Sequence, residues 1–157
     1  MKFAEFICFE AALPELEVTD RDGVIEALVS SLNKAGKFKR GTSKELIKAV
    51  IDREKEASTG IGKGVAVPHV KHPSVKEVVG VVGLSSSGID FCSLDKQPVF
   101  SILLLISPVD MPDQHLQAME SVFRHLQQEK FRRFLRQCRT KEAIEDLLRE
   151  ADTRQIW

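Results

Sequence analysis

Cysteine is scarce: Cys8, Cys92 and Cys138 are the only three in 157 residues, and they lie far apart. Their number is odd and no Cys-x-x-Cys pair occurs, so neither a disulfide framework nor a zinc ribbon is indicated. Reduced thiols and a cytoplasmic location are the expectation. A surplus of charge is also missing, with 23 Lys+Arg against 23 Asp+Glu. A generic nucleic-acid or membrane-surface binder carries a basic excess, so neither partner is expected. No apolar run approaches the roughly 18 residues of a membrane span, so no membrane insertion is expected. The first twenty residues, with acids at 5, 10, 15, 17 and 20, contain no apolar stretch of signal-peptide type. Repeats and low-complexity tracts are absent as well. What is present is a chain with 43% hydrophobic and 29% charged residues, ordinary for a globular protein. Its length suits one domain, 1–157, with a substantial core.

Apolar periodicity organises the chain. Val24, Ile25, Leu28, Val29 and Leu32 recur at helical spacing behind Thr19 as cap, with Gly36 as the stop. The segment "TSKE" (42–45) has the form of a capping box and opens a second helix with Leu46, Ile47, Val50 and Ile51 on one face. That helix is expected to end near "ASTG", with Gly60 as a left-handed exit. "VAV" (65–67) is a short apolar run ended by Pro68, and 75–91 reads as a strand followed by a turn at Ser86-Ser87-Gly88. "PVFSILLLIS" (98–107) is continuously apolar, as in a central strand covered on both faces. Pro112 fits the first turn of a helix with Leu116, Met119, Phe123 and Leu126 inward. Two shorter helices follow, one with Phe131, Phe134 and Leu135, the other capped by Thr140 with Ile144, Leu147 and Leu148. Strands interleaved with helices imply a mixed sheet covered by helices, an α/β or α+β layer fold.

One stretch concentrates unusual residues: "STGIGKGVAVPH" (58–69), with glycines at 60, 62 and 64. A P-loop requires Gly-x-x-x-x-Gly-Lys-[Ser/Thr] between a strand and a helix. Here Lys63 is followed by Gly64, and the loop follows a helix and precedes an extended segment. The Gly-x-Gly-x-x-Gly dinucleotide pattern fails too, its third glycine arriving one position early. Alternating glycines instead allow close backbone approach and unusual dihedrals, and they present His69 at the end of a short strand. Arg53 continues the inward stripe Leu46, Val50, and His115 stands at the edge of the apolar line Met119, Val122, Leu126. Taken singly, a salt bridge explains Arg53 and a structural imidazole explains His115. His72 and His125 read as surface residues, and His69-x-x-His72 is a weak zinc signal that no acid or cysteine completes. Together, Arg53, His69 and His115 suit a phosphoryl group held on an imidazole: a neutral ring nitrogen attacks, and the cation and helix start neutralise oxygens. The basic stretch 124–139 reads first as a solvated helix face and second as a docking patch.

These residues also match a family. "REKEASTGIGKGVAVPH" resembles the active-site segment of the type-2 enzyme IIA domains of the bacterial sugar phosphotransferase system, the fructose/mannitol class that includes the nitrogen-regulatory IIA proteins. The likeness continues through "GIDFCSLDKQPVFSILLLISP", with Asp95-x-x-Pro98, and "HLQAMESVFRHL" to "TKEAIEDLL", and is weakest over residues 1 to 17. The resemblance implies a mixed, roughly five-stranded sheet flanked by helices in three layers. It implies that His69 takes phosphate at Nε2 from phosphohistidine on HPr or its nitrogen-branch paralogue. Arg53 and His115 then match the second and third active-site positions, and Ser58, Thr59, Gly60, Gly62 and Gly64 the loop that binds around the phosphate. No cofactor and no metal is implied. Val70 stands where the family usually has glycine, Val67 where isoleucine is common and Met119 where leucine is common. With no IIB cysteine loop or membrane IIC segment in the sequence, the phosphate is expected to pass to a separate IIB domain or to act as a regulatory switch on a target protein. The alternative is a non-catalytic binding module that keeps the fold, which the full set of three residues disfavours.

Overall fold

The computed structural model describes residues 1–154; the last three positions of the expected 1–157 domain lie outside them. The elements run α1 (Phe3–Phe6), a 3₁₀ turn (Phe9–Ala11), α2 (Arg21–Lys34), α3 (Ser43–Glu56), β1 (Gly60–Gly62), β2 (Val65–Ala66), β3 (His69–Lys71), β4 (Val79–Ile89), β5 (Val99–Ser107), α4 (Pro112–Leu126), α5 (Glu129–Gln137) and α6 (Lys141–Thr153).

The apolar run at 98–107 forms β5, the centre of the sheet. β4 pairs with it antiparallel from Val79↔Ile106 to Ile89↔Val99. β2 and β3 both run parallel to β5, at Val65↔Ser101 and His69↔Leu105. Because β4 occupies one edge of β5, these two short strands share the other edge, as two pieces of one strand interrupted at Val67–Pro68. β1 adds antiparallel to β2. The mixed five-stranded sheet is the one expected.

Alternation along the strands divides the core in two. Ile102, Leu104 and Ile106 of β5 face one way and join Val24, Leu28 and Leu32 of α2 and Leu46 and Val50 of α3. Leu103 and Leu105 face the other way and join Phe3, Phe6, Val122, Phe131, Ile144 and Leu148 from α1 and α4–α6. The result is three layers: two helices, the sheet, then four helices. Each fully buried Leu or Ile in these layers stabilises by about 1.5–3 kcal/mol, and β5 contributes on both faces.

The N-terminal twenty residues, for which the sequence offered no pattern, cover the outer edge of β4. Isolated bridges join Ile7 to Gly80, Leu13 to Gly83 and Asp20 to Asp90, and Leu16 N–H donates to Leu84 O at 2.7 Å. The edge is thereby closed to other strands.

Several local expectations need correction. The α2 cap is Asp20, whose carboxylate accepts from Gly23 N–H, and not Thr19. The "TSKE" box does not form: Thr42 already has helical backbone angles and its hydroxyl donates to Lys39 O at 2.7 Å. Gly60 is no left-handed exit but the first residue of β1; the positive φ values fall at Gly62 (100°), Lys63 (60°) and Gly64 (77°), where the chain reverses into β2. The expected turn at Ser86–Gly88 is an irregularity inside β4, which continues to Ile89 with a register shift after Leu84. Helix α4 is rotated from the expected phase. Leu116 is 59% exposed and His125 only 3%, because the His125 ring nitrogens meet Ser121 O (2.8 Å) and Ala151 O (3.2 Å). Phe134 likewise faces outward, 39% exposed, while Phe131 and Leu135 carry the buried face of α5. Thr140 caps α6 as expected, accepting from Ala143 N–H at 3.0 Å.

Candidate functional site

His69 opens β3 directly after Pro68. Proline has no N–H to give a ladder, and the strand is interrupted there. The Pro68 carbonyl still accepts from Leu105 N–H at 3.0 Å. Inside the break, the Val67 carbonyl lies 2.8 Å from Nδ1 of His69. A carbonyl only accepts, so Nδ1 carries the hydrogen. A neutral imidazole has one N–H, and Nε2 is therefore left with a lone pair.

His115 lies in the first turn of α4, facing His69 across 5.8 Å between ring centroids at 46°. Its Nδ1 is 2.6 Å from the hydroxyl of Ser107, the last residue of β5. The β5-to-α4 connection thus sets both the second imidazole and the group that orients it. Arg53 is half-buried in the last turn of α3 and donates from Nη1 to Ala57 O at 3.1 Å. Its charge reaches His69.

Both histidines are held neutral. Burial is the main cause that lowers the His69 pKa; the cations Arg53 and Lys71 lower it further, opposed by the Val67 hydrogen bond and by Glu54. His115 is pushed down to about 4, first by burial, then by His69 and Lys71. Desolvation of the His69 ring outweighs the influence of the arginine.

The glycine loop makes different contacts. A Cβ on Gly60 would lie 2.7 Å from Ser93 Oγ, one on Gly62 3.3 Å from Asp95 Oδ2, and one on Gly64 3.3 Å from the Phe100 ring. These glycines let the loop close against residues 93–100. Ser58 Oγ accepts from Gly60 N–H and lies 3.4 Å from Phe91 O. Thr59 is buried, and both its N–H (2.8 Å) and its hydroxyl donate to the Glu54 carboxylate. His72 Nδ1 meets the hydroxyl and N–H of Ser74.

Sequence reasoning missed three contributors. Glu54 is only 2% exposed; a charged residue beside Arg53 at a helix end gave no sign of burial. Ser107 was read only as the end of an apolar strand. Lys71 is two residues beyond His69 on one strand, so the two side chains share a face, a signal that was available.

The chain matches the family described as "Phosphoenolpyruvate-dependent sugar phosphotransferase system, EIIA 2" over residues 9–151. It belongs to that family and is a type-2 IIA component of the phosphotransferase system. Among curated relatives it is 33% identical to the PTS system fructose-specific EIIABC component of Bacillus subtilis, over 97% of this chain but 24% of that protein. The chain therefore spans about a quarter of that relative. It is 30% identical to the nitrogen regulatory protein of Bradyrhizobium diazoefficiens, over 94% of this chain and 95% of that one. In fold it is similar to nitrogen regulatory protein IIA-Ntr of Neisseria meningitidis, with a TM-score of 0.83, 24% identity and 93% and 98% of the two chains covered. It is also similar in fold to the mannitol enzyme IIA of Escherichia coli in its complex with phosphorylated enzyme IIB (TM-score 0.75, 19% identity, 90% and 95% covered). Among the described residues, no helix is long and apolar enough to cross a membrane.

Proposed function

We propose that this chain, acting as one domain in the cytoplasm, is a phosphohistidine relay of the EC 2.7.1 type with His69 as the phosphorylated residue. The observation that carries the reading is the Val67 hydrogen bond to Nδ1, which leaves the Nε2 lone pair as the nucleophile. The donor is a phosphohistidine on HPr or its nitrogen-branch paralogue. Its N–P bond breaks as the bond to His69 Nε2 forms, and the electron pair returns to the donor's imidazole. Arg53 neutralises the phosphoryl oxygens. With Ser107 donating its hydroxyl hydrogen to Nδ1 of His115, that ring presents Nε2–H as a further donor. The loop residues Ser58, Thr59, Gly60, Gly62 and Gly64 act on this reading by shaping the approach to the histidine, since their own polar groups and close contacts are within the protein.

After uptake, the phosphate passes to a IIB cysteine or remains as a signal that changes which target protein is bound. The near-complete, reciprocal coverage with a nitrogen regulatory protein favours the second outcome. The test is incubation with phosphoenolpyruvate, enzyme I and HPr. Acid-labile, base-stable label should appear on the native protein, with nitrogen NMR placing it on Nε2 of His69. Label at the normal rate on His69→Ala, or phosphate on Nδ1, would overturn the assignment. Loss of label on mixing with a IIB domain supports the relay to sugar uptake, and retention supports the switch.

A further inference from the structure

The basic stretch that the site does not use folds into a cavity of about 460 Å³ between α5, the β1–β2 turn and the start of β5. Five cations line it: Arg132, Arg133, Arg136 and Arg139 from one segment, and Lys63 from the distant turn. One carboxylate, Glu129, faces them. We propose that this cavity is a second anion site, for a small molecule carrying two or more adjacent phosphate groups.

Three of the four arginines are oriented, and none is neutralised. Arg132 Nη1 is fixed on Leu126 O at 2.8 Å. Arg139 Nη1 reaches Arg136 O at 2.9 Å and Cys138 O at 3.1 Å. The Arg136 guanidinium lies on the Phe100 ring, 3.5 Å from its centroid. Among the described residues none of the four is ion-paired. Carbonyls and an aromatic face hold the guanidinium planes while leaving their charge available, so an anion binds at little ordering cost. Five cations against one carboxylate repel each other, and a multivalent anion relieves that repulsion where a single phosphate leaves most of it. The volume falls in the range of small-molecule pockets. Convergence on one concavity, in a chain without net charge, suits a small ligand rather than a nucleic-acid strand, which needs an extended basic track. The site is separate from the histidines: along β5, the β2 pair Val65↔Ser101 at this cavity and the β3 pair His69↔Leu105 are four residues or about 13 Å of strand apart.

Calorimetric titration of the full chain with tripolyphosphate at constant ionic strength tests this. Saturable one-to-one binding is expected. It should be weakened at least tenfold in the Arg133→Gln/Arg136→Gln double variant and at least threefold by Lys63→Gln, which lies outside the arginine segment. It should be unchanged in His69→Gln and in Arg149→Gln, a distant surface control, with melting curves confirming that every variant is folded. No saturable heat, equal weakening by Arg149→Gln, or loss of binding in His69→Gln would each overturn the proposal. So would tighter binding of a twelve-nucleotide RNA than of tripolyphosphate.

Discussion

Replacing Thr59 by valine removes one hydroxyl and leaves the side-chain volume almost unchanged. In the native protein that hydroxyl and the Thr59 N–H both donate to Glu54, a carboxylate 2% exposed. Hydrogen bonds to a charged group contribute about 1.5–3 kcal/mol, and a buried acceptor that loses its partner costs a similar amount. Thr59→Val should therefore destabilise by about 1.5–3 kcal/mol, lowering the melting temperature by about 3–12 °C for a chain of this size. In urea, with a slope of about 2 kcal/mol/M, the midpoint should fall by about 1 M. The rate of phosphoryl uptake per folded molecule should stay within about threefold, because the hydroxyl is engaged by Glu54 and is not presented to a ligand. Urea denaturation followed by circular dichroism, with single-turnover labelling of the same preparation, measures both. A loss of stability under about 0.5 kcal/mol would refute the account of Glu54. A tenfold fall in uptake by fully folded protein would instead return Thr59 to the phosphate.

Gly60→Ala should destabilise by about 1–3 kcal/mol, since the new methyl would lie 2.7 Å from Ser93 Oγ and 3.0 Å from its Cα; thermal melting reads this, and a melting point unchanged within error contradicts the close approach. His125→Leu should cost about 1–3 kcal/mol by removing the single imidazole N–H that lies between the Ser121 and Ala151 carbonyls, checked by urea denaturation at neutral pH. Both site histidines have folded pKa values below the usual 6.5. The unfolded chain thus binds protons that the folded chain refuses. Their contribution to stability is complete above pH 6.5 and declines as pH falls towards 4, the value for His115. Denaturation midpoints at several pH values test the sign, and native His69→Gln/His115→Gln protein should show a shallower decline.

Some of this was visible in the sequence because one residue type sufficed to decide it. A largely apolar run of strand length, bounded by turn residues, fits a strand covered twice, and β5 is one. Pro112 and Thr140 stand where expected because a proline at a first turn and a threonine cap act locally. The failures are places where a distant partner decides. Thr42 has the pattern of a cap, but the preceding turn offers its hydroxyl the Lys39 carbonyl. The phase of α4 is set by carbonyls in its own preceding turn and in α6, which draw His125 inward. At the candidate site, Arg53 and His115 were legible as polar residues on apolar stripes, and His69 as the residue at the end of the glycine loop. Glu54, by contrast, is recognisable only once the loop folds back onto it. The N-terminal segment pairs through isolated bridges, too short to impose a strand's alternation.

The acceptor that selects the free nitrogen of His69 is a main-chain atom, the carbonyl of Val67. Side-chain substitution at position 67 leaves that oxygen in place. Sequence drift around the histidine, including the valines at 67 and 70, can therefore retune local shape without changing which nitrogen keeps its lone pair. The exception is Pro68. A residue there with an N–H could knit the two strand pieces together, and the tautomer would then depend on where the Val67 carbonyl was drawn. The tautomer of this histidine is inherited through the path of the backbone, with one proline as its guardian.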